Sequence, residues 1–566
     1  MSSARLGIAH VYAAIVLALL SAALLRYALM PIGGWDVWWH LETGEQILAT
    51  GSWLTDEPFA YTLEGAQWAH KDGGAAVLMH LVQRAAGFGG LVVLKALVFV
   101  ATIGILLATL VRERRVPLTL AVFSLALVVE AVAFRFHERP QTFAFCGTVA
   151  AVWLIERRRA GRGPLWPLVP LCFVLANLHR GALLVPVLAA AYTLSLTFQR
   201  PIERRQLLST GMIAAAAGLA CLLTPSGLDM VTSSFRMLQE PGFRDQIPEW
   251  FTPTPLHVWR AAPATYGVVA LALLGMVLRG RRQDPWDVIL TLLAVLVGVR
   301  AVRFLPLFAL LAVGPAASGV ALAAQIWRSR VGMLIGAAAA AVGLLFALIS
   351  DLPAPHVGLQ PRRFPDAALA FVRDHGVRGR VINDFRFGGY LLFADYPTRK
   401  VYVDGRNDVV YPLAFLRTAT TVFRAPELLA TEQLRWNAQW LLVPNEPDVR
   451  SRAHIDYDPA WTLVFASEVA LVYVLTDGDN QRLAQDYGYR LLAAHDLQAT
   501  LVTAIGSGSP KLAEAAREEA RRMVREDQES HPAHLALALA YRLSGPAYVD
   551  QMAAELSIVE ALGRRR

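Results

Sequence analysis

The chain has 566 residues, of which 55% are hydrophobic and only 17% are charged, and its mean hydropathy is +0.41. A soluble protein of this length needs more charge to cover its surface, so these values exclude an ordinary soluble globular protein. The formal net charge of +8 does not indicate nucleic-acid binding, because the basic residues form short clusters between apolar runs, where membrane topology accounts for them.

The apolar residues occur in eleven runs, most of them about as long as a bilayer core of roughly 30 Å requires. The runs cover residues 8–29, 88–111, 116–134, 140–155, 164–178, 181–198, 206–223, 264–278, 286–299, 304–323 and 331–350. They predict an α-helical polytopic membrane protein with about eleven transmembrane helices in residues 1–350. The first run carries Arg26 before any cleavage site, so we interpret it as a retained span and not as a signal peptide.

Arginine clusters follow every second run, which is the pattern of the positive-inside rule. The clusters contain Arg112, Arg114 and Arg115; Arg157, Arg158, Arg159 and Arg162; Arg200, Arg204 and Arg205; Arg279, Arg281 and Arg282; and Arg328 and Arg330. The rule predicts a bacterial inner-membrane protein with a cytoplasmic N-terminus and a periplasmic domain after residue 350. Two connections on the outer, cell-envelope side are long, at residues 31–87 and 224–263.

The three cysteines, Cys146, Cys172 and Cys221, each fall inside an apolar run. Their spacing gives no disulfide framework and no metal-ligand pattern. We interpret them as small apolar packing residues.

The sequence pattern changes after a proline-rich linker at residues 351–363. Strand and helix signals then alternate, which predicts a soluble α/β domain over residues 364–478. The predicted elements are strands at 380–384, 400–404 and 439–444, a helix beginning at 388–394, and a hairpin of strands 461–466 and 470–475. Residues 479–566 are alanine-rich and predict a helical segment that packs onto this domain, since the one weak tetratricopeptide-like stretch at 533–543 cannot bury its own face.

The first outer connection is the most informative segment. Asp36 follows the first span directly and lies among tryptophans that include Trp38, with His40 close behind. Tryptophans alone would be explained by an aromatic belt at the membrane interface. The additional acidic residues of the same loop, among them Asp56 and Asp72, favour a functional site.

Four patterns together resemble a known class of protein. They are D-x-W-W-H-L-x-T-G at Asp36–Gly44, T-D-x-x-F-x-Y-T at Thr55–Thr62, N-x-H at Asn177–His179, and G-G-Y-L with D-G-R at Gly388–Leu391 and Asp404–Arg406. The chain resembles a family of bacterial multi-pass membrane proteins and, in its topology, the GT-C superfamily. Members of that superfamily are membrane glycosyltransferases that use polyprenyl-phosphate-linked sugars, such as protein mannosyltransferases, oligosaccharyltransferases and aminoarabinose transferases.

The resemblance implies roles for particular residues. Asp36 corresponds to the acidic residue that acts as base or positions the acceptor, and Asp72 to a second, assisting acidic residue. Relatives commonly have His-Glu-Trp near Asp72, whereas this chain has His-Lys-Asp-Gly, so Lys71 is an alternative salt-bridge partner for Asp72. Trp38 and His40 would contact the substrate, with Trp38 stacking on a sugar or anchoring the interface.

A departing phosphate requires fixed cations on the same side as Asp36. The predicted donor-binding residues are Arg135, Arg139, His179, Arg180, Arg300 and Arg303. The alternative for each arginine is a side chain that extends to lipid headgroups. No Asp-x-Asp pair lies in the two outer loops, so the sequence does not require a divalent metal, although Glu249 is at a position that is sometimes a metal ligand in oligosaccharyltransferases.

Two other functions remain open at this stage. The chain is also compatible with a non-enzymatic membrane scaffold for envelope or polysaccharide assembly, and less so with a transporter, since internal repeats are absent. An enzyme, unlike a scaffold, needs its acidic residues and the arginines of distant spans to meet in one cavity. Phosphate-binding P-loops, dinucleotide fingerprints and serine nucleophile elbows are absent from the sequence.

Overall fold

A computed structural model of the chain describes residues 14, 17–68, 71–233, 247–323, 338, 341, 355–406, 410–446 and 452–564. The chain divides into two units. The first contains Met1–Gly34, His40–Thr55 and Ala69–Gln360, and the second contains Trp35–Trp39, Asp56–Trp68 and Pro361–Arg566. The second unit therefore takes two pieces of the predicted loop 31–87 in addition to the predicted C-terminal domain.

The first unit consists of helices. Their bounds are α1 Leu17–Ala28, α2 Val37–Thr50 (whose first residues belong to the second unit), α3 Gly73–Ala108, α4 Leu118–Ala133, α5 Gln141–Arg159, α6 Leu168–Leu178, α7 Leu184–Leu196, α8 Arg204–Ala220, α9 Pro255–Ala261, α10 Ala264–Arg279, α11 Pro285–Gly298 and α12 Leu305–Val320. Ten of the eleven predicted apolar runs coincide with a helix. The run at 331–350 lies outside the described residues apart from 338 and 341.

The predicted count of eleven spans is not confirmed. In the described part of the chain, two helical segments are long and apolar enough to cross a bilayer, Gly73–Glu113 and Val302–Val320, and a third would be counted if α9 and α10, bent by 114°, formed one span. Several other apolar helices have 10–17 residues. A straight span of about 30 Å takes about 20 residues, so length and composition alone do not assign these shorter helices as spans.

Helix α3 corrects the prediction for the first long loop. The apolar run was predicted to begin at residue 88, but the helix begins at Gly73, within the predicted loop. Gly87 interrupts α3 with a φ of +64°, a conformation that glycine adopts without the steric cost of a Cβ atom. The kink thus separates an initial helical segment from the apolar part that the sequence predicted.

Charged residues from three of the predicted arginine clusters meet at one end of the first unit. The Arg114 side chain is 4% exposed and pairs with Glu156 and with Asp287, the latter at 2.8 Å. Arg279 pairs with Asp287, and Arg159 joins Asp284 at 2.6 Å. The connections that follow α3, α5 and α10 therefore lie close together in the first unit.

The second unit contains a four-stranded sheet. Its strands are β1 Arg380–Asn383, β2 Ala438–Pro444, β3 Trp461–Ala466 and β4 Ala470–Leu475, in the order β1-β2-β4-β3. Strands β1 and β2 are parallel, and the other pairs are antiparallel. The helices are α13 Asp366–Asp374, α14 Phe387–Asp395, α15 Leu413–Thr421, α16 Pro426–Trp436, α17 His454–Tyr457 and α18 Gln481–Tyr487.

Four of the five predicted strands are confirmed, and so is the helix at 388–394. The predicted strand at 400–404 is wrong, because Val401 forms only an isolated parallel bridge with Ala60. Tyr61 further donates a hydrogen bond from its hydroxyl to the carbonyl of Val381. Residue 401 therefore pairs with the segment Asp56–Trp68 and not with a strand of the sheet.

A buried ion-pair network fixes Asp56–Trp68 to the rest of the second unit. The Arg406 side chain is fully buried and pairs with Glu57 and with Asp404, the latter at 2.6 Å. Tyr411 also donates a hydrogen bond to Asp404. Glu57 lies in the T-D-x-x-F-x-Y-T segment, and Asp404 and Arg406 belong to the D-G-R pattern. These two sequence patterns therefore contact each other and stabilise the packing of the second unit.

The chain ends in helices α19 Leu497–Gly506, α20 Pro510–Glu526, α21 His531–Leu543 and α22 Val549–Arg564. Glu526 on α20 accepts hydrogen bonds from the Ala466 N–H at the end of β3 and from the Tyr489 hydroxyl. Helix α20 therefore packs against the end of β3.

Candidate functional site

The N-x-H segment lies against the beginning of α3 in the first unit. A Cβ atom added at Gly74 would lie 2.5 Å from the carbonyl oxygen of Asn177, so only glycine permits this approach. Asn177 donates hydrogen bonds to backbone carbonyls of Phe173 and, at 3.5 Å, Leu223. The sequence between α6 and α7 is thereby held beside Asp72, which directly precedes α3.

A cavity of about 180 Å³ opens beside this segment. Its polar lining comes from His179, Arg180, Arg303 and Gln141. The remaining wall is largely apolar and aromatic, and consists of Ala144, Phe145, Leu183, Trp250, Phe304 and Leu307, with Thr148 and Gly181. Two guanidinium groups at an apolar cavity are suited to a ligand with an anionic head and a hydrocarbon portion.

Glu249 brings three of the predicted arginines together. It forms ion pairs with Arg135, with Arg303 at 3.2 Å and with Arg139 at 3.7 Å. Burial alone would raise the pKa of Glu249, but the three guanidinium groups outweigh burial and hold that pKa well below its usual range. One carboxylate against three guanidinium groups leaves this cluster with a net charge of +2.

Arg303 is the member of this cluster that also lines the cavity. Its guanidinium group lies 4.3 Å from the ring centroid of Trp250, which restricts its orientation. Arg135 is buried and donates a second hydrogen bond to Gln141 at 2.8 Å, and Gln141 also lines the cavity. The positive charge is therefore held in place by packing before any ligand arrives.

Asp72 lies next to Arg180 and faces the same group of charges. Its carboxylate accepts a hydrogen bond from the Arg180 backbone N–H, and its Oδ1 atom is buried with no hydrogen-bond partner among the described residues. Burial raises the pKa of Asp72, against the opposing charges of Arg180, Lys71 and Arg303. Lys71, which the sequence suggested as a salt-bridge partner of Asp72, forms a salt bridge with Asp229 at 3.1 Å.

His179 is held as a neutral hydrogen-bond donor. Its Nδ1 atom accepts a hydrogen bond from the Gly181 N–H at 2.9 Å, which assigns the ring proton to Nε2. Burial and the nearby charges of Arg180 and Arg303 lower the pKa of His179 well below its usual range. An uncharged imidazole with a fixed tautomer therefore lines the cavity.

Two other predicted residues of the first unit lie outside this arrangement. Arg300 is exposed at the end of α11 and is not part of the cavity lining. His40 is buried on α2 and is also absent from the lining. Their contacts with substrate stay predictions.

Asp36 and Trp38 belong to the second unit. A Cβ atom added at Gly405 would lie 2.8 Å from Asp36 Oδ1, so the carboxylate packs against the D-G-R turn. Trp38 is fully buried and makes edge-to-face contacts with Phe364 and Tyr390, whose ring centroids each lie 4.6 Å from that of Trp38. The prediction that Trp38 stacks on a sugar is not supported by this packing, which covers the ring with protein.

Sequence reasoning missed Glu249 as the common partner of three arginines, and it missed Gln141. Glu249 was noted only as a position that can hold a metal, and the described residues contain no group of three histidine, cysteine, aspartate or glutamate side chains arranged for one. The sequence signal that was available is an acidic residue in the second long outer loop, which the sequence places on the same side as these arginines.

No protein-family model and no curated protein matches the sequence. Among solved structures, the arabinofuranosyltransferase AftD from Mycobacteria is 16% identical with a TM-score of 0.51, and the match covers 82% of this chain and 40% of that protein. The oligosaccharyltransferase of Archaeoglobus fulgidus is 13% identical with a TM-score of 0.49, and the match covers 87% of this chain and 78% of that one.

ArnT from Cupriavidus metallidurans is 14% identical with a TM-score of 0.48, and the match covers 83% of this chain and 98% of that protein. At such identities the similarity concerns the fold. The match to AftD covers 82% of this chain. This chain therefore has a GT-C-like fold.

Proposed function

We propose that this protein is a membrane glycosyltransferase that moves a sugar from a polyprenyl-phosphate-linked donor to an acceptor on the outer face of the inner membrane. The observation that carries the proposal is the cavity in which Arg180, Arg303 and His179 meet an apolar wall beside Asp72. The similarity in fold to a sugar transferase supports the same reaction class. The scaffold alternative has no need for such a cavity.

The reaction would break the bond between the anomeric carbon of the sugar and the phosphate oxygen, and would form a bond from that carbon to the acceptor. An acidic side chain takes the acceptor proton, and the lipid phosphate departs with the bonding electron pair. Arg180 and Arg303 would bind the phosphate, because guanidinium groups pair with phosphate oxygens in a bidentate manner. His179 would donate its Nε2 proton in a hydrogen bond to the same group.

The two predicted acidic residues have different support. Asp36 is proposed as the acceptor base because of its place in the D-x-W-W-H pattern directly after the first apolar run. Asp72 is proposed as the assisting residue because it contacts Arg180 and lies near Arg303. Both proposals need separate tests, since each aspartate belongs to a different unit.

The phosphate assignment predicts that Arg303→Ala weakens binding of a polyprenyl phosphate by about 10–100-fold, since hydrogen bonds to charged groups contribute about 1.5–3 kcal/mol. Arg260→Ala is the matched control, because it removes an exposed arginine on α9 that does not line the cavity and was not predicted to bind the donor. Binding would be measured with the purified protein in nanodiscs. Arg135 and Arg139 still neutralise Glu249 in the Arg303→Ala protein, so its melting temperature should stay close to that of the wild type.

Equal weakening by Arg303→Ala and Arg260→Ala would contradict the assignment of the phosphate to the cavity. No sugar transfer by the wild type with any lipid-linked donor, together with no binding of polyprenyl phosphate, would favour the scaffold function.

The raised pKa of Asp72 predicts the acidic limb of the pH–rate profile. If the carboxylate form of Asp72 assists transfer, the rate falls as the pH drops through the pKa of Asp72, which burial places above the ordinary value of about 3.9. Asp72→Asn imitates the protonated form, so this variant should be slow at neutral pH, by roughly 100-fold, and should lack that limb. A limb that persists unchanged in Asp72→Asn would assign it to another group.

A further inference from the structure

Two cysteines of the first unit lie in contact although they are far apart in the sequence. Cys172 is on α6, and Cys221 directly follows α8. Both side chains are fully buried, and their Sγ atoms are 2.9 Å apart. A disulfide bond is about 2.05 Å long, so the two sulfur atoms need to approach by less than about 1 Å to be joined.

The third cysteine has a different environment. Cys146 is partly exposed on α5, and its side chain hydrogen-bonds to Thr102. The sequence interpretation treated all three cysteines as separate packing residues. Cys146 remains a separate packing residue in the structure, whereas Cys172 and Cys221 are in contact with each other.

We propose that Cys172 and Cys221 are an oxidation site that closes to an intramolecular disulfide joining α6 to α8. Each thiol loses one proton, the two sulfur atoms form one bond, and two electrons pass to the oxidant. Because both thiols are buried, the oxidant for the folded protein is a small apolar one that enters the bilayer, such as dioxygen, which is reduced to hydrogen peroxide by the two electrons and two protons.

The position of the pair connects it to the cavity. Helix α6 ends at the segment that carries His179 and Arg180, and Cys172 Sγ lies 3.7 Å from the Ala182 carbonyl in the turn that follows. The amide of Asn177 already contacts the Leu223 carbonyl beyond α8. A disulfide would make this noncovalent attachment of one cavity wall to α8 a covalent one.

The test counts free thiols in the purified full-length protein in detergent micelles. The protein is treated with air and copper-phenanthroline, unfolded, and labelled with a maleimide that shifts its mobility. We expect the wild type to fall from three labelled thiols to one, Cys146→Ser to fall from two to none, and Cys172→Ser to keep both of its thiols. A reductant added before labelling should restore all of them, and the cross-linked peptide should be found by mass spectrometry.

Two outcomes would overturn the proposal. One is that folded Cys146→Ser keeps both thiols under conditions that oxidise a reference dithiol. The other is that the same loss occurs when the protein is unfolded in SDS before the oxidant is added, because coupling would then not depend on the folded positions of the sulfur atoms. As a second measurement, oxidation should raise the melting temperature of Cys146→Ser but not that of Cys146→Ser/Cys172→Ser, since a cross-link restricts the unfolded chain.

Discussion

The Asp36→Asn variant is expected to lose sugar transfer by on the order of 10²–10⁴-fold, which is the contribution of a general base. The substitution keeps the size of the side chain and removes its charge. Binding of the polyprenyl phosphate should change little, because the described cavity that would hold the phosphate is not lined by Asp36. Transfer of a labelled sugar from a lipid carrier in membranes measures the first effect, and binding in nanodiscs measures the second.

Two further variants make this expectation specific to the Asp36 carboxylate. Glu45→Gln neutralises an exposed acidic residue on the same helix α2 and should leave transfer unchanged. Gly405→Ala adds a methyl group 2.8 Å from Asp36 Oδ1, so it should displace the carboxylate and lower transfer without removing a charge. Transfer at the wild-type level by Asp36→Asn would falsify the assignment of Asp36 as the base.

The largest expected effect on stability comes from Glu57→Gln. This change removes one of the two carboxylates that neutralise the fully buried Arg406, and losing a partner of a buried ion pair costs about 3–5 kcal/mol. The Glu57 carboxylate also accepts the N–H groups of Phe59 and Ala60 at 2.8 and 2.7 Å, so the neutral amide weakens the local turn as well. Thermal unfolding of the full-length protein in detergent should therefore begin at a lower temperature.

The control is Glu64→Gln in the same segment. Glu64 is 67% exposed and pairs with Lys400 at 3.3 Å, and a surface pair of this kind contributes about 0–1 kcal/mol. Combining Glu57→Gln with Arg406→Met should recover part of the loss, because the unpaired buried charge is then gone. Equal changes in melting temperature for Glu57→Gln and Glu64→Gln would show that the buried network does not stabilise the second unit.

Several features could be predicted from the sequence because they depend on local patterns. Ten apolar runs coincide with helices, since hydrophobic residues recur over the length of each helix whatever its neighbours are, although α3 begins at Gly73 and not at residue 88. The strands at 380–384, 439–444, 461–466 and 470–475 were found for the same reason. The predicted strand at 400–404 failed because its partner, Ala60, is distant in the sequence and supplies only a single bridge.

The arginines of the candidate site could be predicted individually but not as a cluster. Their positions at the ends of alternate apolar runs indicate one side of the membrane protein. The sequence does not state that Arg135, Arg139 and Arg303 meet on one carboxylate, because Glu249 is more than a hundred residues from the first two and about fifty from the third.

The sequence by itself determined that this protein is largely helical and apolar, with a few strands after residue 379, because composition and periodicity act within each segment. The tertiary structure decided which distant groups come together. Burying the Arg406 guanidinium group without a carboxylate partner would cost several kcal/mol of folding free energy, and Glu57 supplies that partner. The segment Asp56–Trp68, which carries Glu57, is therefore part of the second unit. Cys172 and Cys221 meet because α6 packs against α8, a contact that no spacing of cysteines in the sequence specifies.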